Sequence, residues 1–187
     1  MKELISAPSF HYLLHPYSTT LVTCCDKEGK TNIIAMAWVI PLSAEPALVG
    51  MCIRPTRYSY GLIRETGEFV VNVAPYELAE QALVCGRRSG RDLDKFAATG
   101  LTPSKAQKVR PPIIEECSGF IECRVVDDIE LGDHRLVIGE VLETYAKAGA
   151  LEEGGLRALD QAQPLLHIGK NLFTSTKKQV VEPRLSG

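Results

Sequence analysis

A mainly β fold, an all-β barrel carrying a few short helices, is what this sequence predicts, on three observations. Short apolar and β-branched runs recur along the chain, bounded by Gly, Pro, Asn or Asp. Few segments carry a helical pattern, and those are short. Neither alternating strand–helix units nor a Gly-x-Gly-x-x-Gly sequence is present, which argues against a parallel dinucleotide-binding sheet. With 187 residues, 45% hydrophobic and 24% charged, the chain suits one domain with a sizeable core, and disordered and fibrous classes are excluded. A net charge of −2 gives no electrostatic reason to expect nucleic acid or an acidic membrane. The first residues lack the apolar core of a signal peptide, and no apolar run approaches the ~20 residues of a bilayer span. A cytoplasmic protein is therefore expected.

The elements follow in order. Thr20 to Cys25, Asn32 to Val39 and Ala47 to Ile53 read as three strands joined by turns. Residues alternate faces along a strand, so Ile34, Met36 and Trp38 are expected on one side. Tyr58 to Thr66 is a short helix stopped by Gly67, and Glu68 to Val73 is the next strand, closed off by Pro75. Glu77 to Cys85 is amphipathic, with Leu78, Ala82 and Leu83 on one side and Gly86 as its expected stop. Asp92 to Ala98 is a shorter helical turn ending near Gly100. Thr102 to Pro112, with three prolines and three basic residues, is a loop. Gly119 to Ile129 and His134 to Tyr145 flank Leu131-Gly132-Asp133 as a hairpin. Ala148 to Gln163 is a loop excursion, Leu165 to Gly169 a last strand, and the residues from 174 onward a polar tail.

Six cysteines contain no C-x-x-C pair, so reduced, buried thiols are expected rather than a zinc site or a redox dithiol. Cys85 precedes Arg87 and Arg88, which would lower its pKa if they lay close; an inert thiol is the alternative. The histidines His11, His15 and His167 are too scattered in sequence to nominate a metal site, and no metal is expected.

The densest chemistry lies in Arg54-Pro55-Thr56-Arg57-Tyr58-Ser59, two guanidiniums, two small hydroxyls and a phenol at the mouth of a helix. Bidentate arginine donors and unsatisfied helix amides together hold a phosphate. A solvated basic turn with ordinary capping is the plain alternative.

Several segments, in this order and rough spacing, resemble one known family. They are Leu21-Val22-Thr23 with Asp26 and Gly29, Asn32 with Trp38, and Pro41-Leu42-Ser43 with Pro46. Arg54, Tyr58 and Ser59 follow, then Gly67 to Val73, Cys85-Gly86, Ser89-Gly90, Asp94-Lys95-Phe96, Gly100-Leu101 and Gly132-Asp133-His134. From about Pro16 to Phe173 the chain is similar to the flavin reductase-like FMN-binding split barrels, in their flavoredoxin-type branch. The resemblance implies a split, Greek-key β-barrel with short peripheral helices, a homodimer, and FMN in a groove near the subunit interface.

The same resemblance implies roles for individual residues. Asn32, Ala35, Met36, Ala37 and Trp38, on a barrel-edge strand, would flank the flavin ring. Arg54, Thr56, Tyr58 and Ser59 would hold its phosphate, with Arg54 and Ser59 favoured over Arg57. Ser89, Asp94, Lys95 and Phe96 complete the set, Lys95 placing its ammonium by the pyrimidine edge of the ring. Otherwise Lys95 is a surface residue paired with Asp92 or Asp94. His134 is the candidate catalytic residue, weighed equally against a turn residue bonded locally. The activity implied is hydride transfer from NADH or NADPH through FMN to a small-molecule or protein acceptor. An electron carrier reduced by a protein partner and a metal reductase are variants of that chemistry. The rival is a non-catalytic FMN-binding barrel for sensing or storage.

Overall fold

The structure, a computed structural model, describes residues 4–152, 155, 158–159 and 161–177. A 3-10 segment, Ala7–Leu14, leads into a two-residue strand β1 (Tyr17–Ser18). There follow β2 (Thr20–Cys25), β3 (Thr31–Met36), β4 (Val39–Ala44), β5 (Ala47–Ile53), helix α1 (Tyr58–Thr66) and β6 (Glu68–Val73). Next come α2 (Ala79–Arg87), α3 (Lys95–Thr99), the short β7 (Pro103–Ser104) and β8 (Ile113–Ile114), and the long hairpin β9 (Gly119–Leu131) and β10 (His134–Ala146). The last strands are β11 (Leu166–Gly169) and β12 (Leu172–Thr174), which pair with β1.

Seven strands form one antiparallel sheet in the order β3-β2-β6-β9-β10-β5-β4. Its two edge strands, β3 and β4, are consecutive in the chain, joined only through Ala37 and Trp38. That short link draws the two edges together, so the sheet rolls into a split barrel. The β9–β10 hairpin bends to follow, with register shifts at Ile138/Gly139 and Val141/Glu143. Both faces of the central strands are covered, which is why they read as unbroken apolar runs. Val22, Ile34, Met51, Phe69, Val71 and Val137 pack with Leu62 and Ile63 of α1. The alternate residues Leu21, Ile33, Val70 and Phe120 pack with Ala82 and Cys85 of α2 and Phe96 of α3.

Three expectations need correction. The strand expected over Asn32 to Val39 is two strands, because the chain turns at Ala37–Trp38 and Val39 pairs with Met51 of β5. Strand alternation therefore stops at Met36 and does not extend to Trp38, although Ile34, Met36 and Trp38 border one cavity. The unexpected strand β4 carries Pro41, which an edge position tolerates. Gly86 does not stop α2, which runs on to Arg87. Gly67 and Gly100 do end α1 and α3, at φ of 70° and 69° in the left-handed region. The excursion expected over Ala148 to Gln163 is described only in part, with Ala150, Ala158 and Ala162 buried; the tail from 178 lies outside the described residues. Among the described residues no helix is long and apolar enough to cross a membrane.

One buried carboxylate ties the long loop to the barrel. Glu122 is fully buried and accepts from the amides of Gln107, Lys108 and Val109 and from the Tyr145 hydroxyl. Four donors converge on one charge that a neutral side chain cannot replace. Glu122→Gln puts an NH2 against those donors and is expected to cost about 2–4 kcal/mol. A urea midpoint unchanged from wild type would show that the loop is held by other contacts.

Candidate functional site

Three adjoining cavities run along the free edge of β3, of about 190, 270 and 160 Å³. Gly86 of α2 borders all three. A β-carbon there would lie 3.5 Å from that of Ala35, so a larger side chain would press on the strand across the groove. Together the cavities form one groove with chemically different ends.

The aromatic end collects residues that are distant in sequence. Trp38 lies beside His134, ring centres 4.9 Å apart and tilted 35°, and 5.9 Å from His11. His15 and His167 are 5.3 Å apart, and all four histidines of the chain line the same cavity. Strand pairing explains the convergence. Tyr17 of β1 stands opposite His167 of β11, which carries the N-terminal segment across the groove. Burial pushes the His15 imidazole below its ordinary pKa, and its Nδ1 is buried without a partner. Ala35, Met36 and Ala37 form the floor here, beside β12 and its turn.

At the other end the lining is cationic. Thr56, Arg57, Tyr58 and Ser59 face Arg87, Arg88, Ser89, Gly90 and Arg91 across the smallest cavity. α1 opens there on Arg57, an N-cap residue whose side chain offers no acceptor to the first-turn amides. Arg91 lies over the Tyr58 ring at 5.1 Å, and Arg87 donates to the Lys170 carbonyl at 2.7 Å. Among the described residues none of these arginines forms an ion pair with a carboxylate. Asn32 Nδ2 donates to Ser59 Oγ at 2.7 Å, while its Oδ1 is buried and unpartnered. A β-carbon on Gly90 would sit 2.0 Å from that Oδ1, so only glycine fits there.

Of the residues expected from sequence, Asn32, Ala35, Met36, Ala37, Trp38, Thr56, Tyr58, Ser59, Ser89 and His134 all border the groove. Arg54 does not reach the cationic end. Its guanidinium lies 3.0 Å from Asp133 Oδ2 beside the aromatic cavity, because β5 and β10 pair with Ile53 opposite Arg135. Arg57, ranked below it, borders both cavities. Lys95 is not a surface residue paired with Asp92 or Asp94. It is buried, and its Nζ donates to the carbonyls of Ile33 and Cys85 at 2.6 and 2.8 Å. Burial lowers its pKa. Asp94 accepts from Ala97 N as the cap of α3, and Phe96 is buried in the core; neither borders the groove.

Sequence reasoning missed Arg87, Arg88 and Arg91 as lining residues, although the spacing Arg-Arg-Ser-Gly-Arg before a helix was a visible signal. It also missed Tyr12, Lys170 and the three scattered histidines, which only tertiary pairing unites.

Comparison with known proteins is consistent with this geometry. The family described as "Flavin reductase like domain" matches residues 12–176. A flavin reductase of Pseudomonas putida is 35% identical over 151 residues, covering 79% of this chain and 85% of that protein. The flavoredoxin of Desulfovibrio vulgaris superposes with a TM-score of 0.87 at 26% identity, covering 97% of each chain. An FMN-binding protein of Thermus thermophilus, solved with bound 1-cyclohex-2-enone, gives 0.85 at 27% identity and 98% coverage of both.

The thiols stand apart from the site chemistry. Burial pushes Cys85 up to about 11, an effect that the Lys95 charge only partly offsets, so Arg87 and Arg88 do not activate it. At neutral pH the folded protein should alkylate at Cys85 at least ~10-fold more slowly than the urea-unfolded chain. Rapid labelling of Cys85 by iodoacetamide in the native protein, read by peptide mass spectrometry, would mark it as a reactive thiol instead.

Proposed function

The chain belongs to the flavin reductase-like family, and from that premise we propose that it is an FMN-dependent oxidoreductase drawing on NADH or NADPH. The observation that carries this reading is the two-ended groove. One end gathers guanidinium groups at a helix mouth without a side-chain cap; the other is an apolar strand edge beside flat rings. FMN has matching halves, a phosphate of about −1.5 to −2 charge at neutral pH and a flat conjugated ring.

The residues present fit that group. Thr56, Arg57, Tyr58, Ser59 and Ser89 would hold the phosphate, with Arg91 fixed over Tyr58 to complete the donor set. Asn32, through its bond to Ser59 Oγ, would hold that hydroxyl in place. Ala35, Met36, Ala37 and Trp38 would flank the ring, where a strand edge offers both apolar surface and backbone hydrogen-bonding groups. When bound, FMN supplies the exchange of a hydride or of single electrons between a reduced pyridine nucleotide and an acceptor. The chain's own work is to bind, orient and set the local charge. Lys95, locked between β3 and α2, borders the cationic cavity and not the aromatic one, so in place of the role expected at the pyrimidine edge it would add positive charge at the phosphate end.

The likeness to flavoredoxin supports a second reading, an electron carrier reduced by a protein partner. Anaerobic stopped-flow mixing of the FMN-loaded protein with NADH or NADPH separates the two. Bleaching on a catalytic timescale supports the oxidoreductase; flavin that stays oxidised leaves the carrier, or a non-catalytic binder. A homodimer belongs to the same proposal. It is supported by the apolar side chains Phe10, Leu13, Leu14 and Ile40, all exposed in one copy of the chain, which a second copy would cover.

Arg57→Ala is expected to weaken FMN by roughly 1.5–3 kcal/mol, one to two decades in Kd, while barely changing riboflavin. Titration of both ligands by flavin fluorescence reads the difference. Equal losses for FMN and riboflavin would remove this loop from the phosphate site.

A further inference from the structure

We propose that His134, ordered by Asp133 and Arg54, donates the proton that accompanies a hydride into a quinone-type acceptor bound against Trp38. The inference rests on the flavin reading above and goes beyond it by naming the acceptor class.

Asp133 bridges the other two. Its Oδ2 lies 3.0 Å from the Arg54 guanidinium and its Oδ1 2.6 Å from His134 Nδ1. An ionised carboxylate only accepts, so Nδ1 carries the hydrogen and Nε2 is left to exchange a proton. The carboxyl of Asp133 is held below its ordinary pKa, first by the His134 hydrogen bond and further by Arg54. Although Asp133 is exposed, the imidazole is not; its side chain retains 18% exposure and packs by Trp38. Seven other charged or titratable groups face this cavity, two of them the Tyr12 phenol and the Cys52 thiol of β5. The other five are His11 and His15 from the N-terminal segment, Arg57 before α1, and His167 and Lys170 from β11 and its turn. Among the described residues His134 is the only histidine bonded to a carboxylate.

The acceptor follows from the walls. The cavity of about 270 Å³ is bordered by Trp38, Tyr12 and imidazoles, and no carboxylate lines it. Flat rings and the absence of negative charge favour a flat, electron-poor molecule. A quinone fits, and its two-electron reduction requires a proton. Bound FMN would supply the hydride, taken in turn from a reduced pyridine nucleotide; added to a quinone oxygen, it forms one O–H bond as the ring becomes aromatic. The displaced electron pair leaves negative charge on the opposite oxygen. His134, doubly protonated at that moment, releases its Nε2 proton to form the second O–H bond, returns to the neutral Nδ1–H form, and is reprotonated at Nε2 from solvent. The quinone is reduced to a hydroquinone and the pyridine nucleotide is oxidised.

His134 is thus a catalytic residue for the acceptor step, and Asp133 and Arg54 are positioning residues. The test uses FMN-loaded protein reduced with dithionite and mixed with menadione or with ferricyanide, which takes single electrons and no proton. Asp133→Asn and His134→Gln are each expected to lower the ratio of menadione to ferricyanide rates by about 10²-fold or more. Independently of flavin, 15N NMR of the histidine-labelled apoprotein should find neutral His134 in the Nδ1–H tautomer, with a mixture in Asp133→Asn. An unchanged rate ratio in fully loaded variants, or a mixed tautomer in wild type, overturns the proposal. Wild-type protein that takes up no FMN in its visible spectrum overturns the flavin reading and this proposal with it, and the spectrum tells that failure from the others.

Discussion

The free edge of β3 is the constraint on which the rest of the site depends. An edge strand presents carbonyls and amides that must find partners, and an uncovered one invites pairing with another chain. Here the edge is divided. At Ile33 the Lys95 ammonium bonds the strand carbonyl and, in the same fork, the Cys85 carbonyl of α2. That single buried cation pins α2 alongside β3 and uses a charge where a backbone partner is absent. Farther along, at Ala35 to Ala37, no such pin stands in the way, and the groove opens. Gly86 keeps the helix wall bare where it borders the groove. The cover of one part of the edge and the opening of the other follow from the same placement of α2.

Charge is apportioned along the groove by the same geometry. At the phosphate-like end four guanidiniums gather with no carboxylate partner among the described residues, a costly surplus unless an anion offsets it. At the aromatic end Arg54 is already paired with Asp133. Arginines three residues apart in sequence therefore face different chemistry. An exposed Arg–Asp pair is worth little to stability in itself, so its use there lies in the orientation of the imidazole bonded to it.

Much of the fold was legible in the sequence, because strands buried on both faces must be continuously apolar. Thr20 to Cys25, Ala47 to Ile53, Glu68 to Val73 and the hairpin around Gly132 stand where their patterns place them. Helix ends at Gly67 and Gly100 were equally plain, since a left-handed residue favours glycine. The failures share a cause. Asn32 to Val39 is apolar throughout, and nothing local marks the turn at Ala37–Trp38; the break is imposed by the need to join the two sheet edges. Gly86 looked like a stop because glycine is a poor helix former, whereas α2 runs through it to Arg87 and leaves the helix wall bare beside the groove. Neither reading of Lys95, at the ring's pyrimidine edge or on the surface, foresaw its burial, because its backbone acceptors carry no signature in sequence.

The site divides along the same line. Residues within one segment, such as Thr56 to Ser59, were readable because a helix mouth brings its neighbours together. Residues united by strand register were not. Arg54 and His134 are 80 positions apart in the numbering, yet Ile53 opposite Arg135 sets them side by side where β5 ends and β10 begins. His167 meets His15 only through the Tyr17–His167 pairing. A one-residue slip in either register would turn these side chains to the opposite face of the strand. The register is held in place by the buried alternation of β5 and β10, where Val49, Met51, Ile53 and Val137 point into the barrel. Core packing therefore determines which polar groups meet at the rim. The chemistry of the aromatic end is a consequence of the hydrophobic pattern beneath it, which is why neither could be read from the polar residues alone.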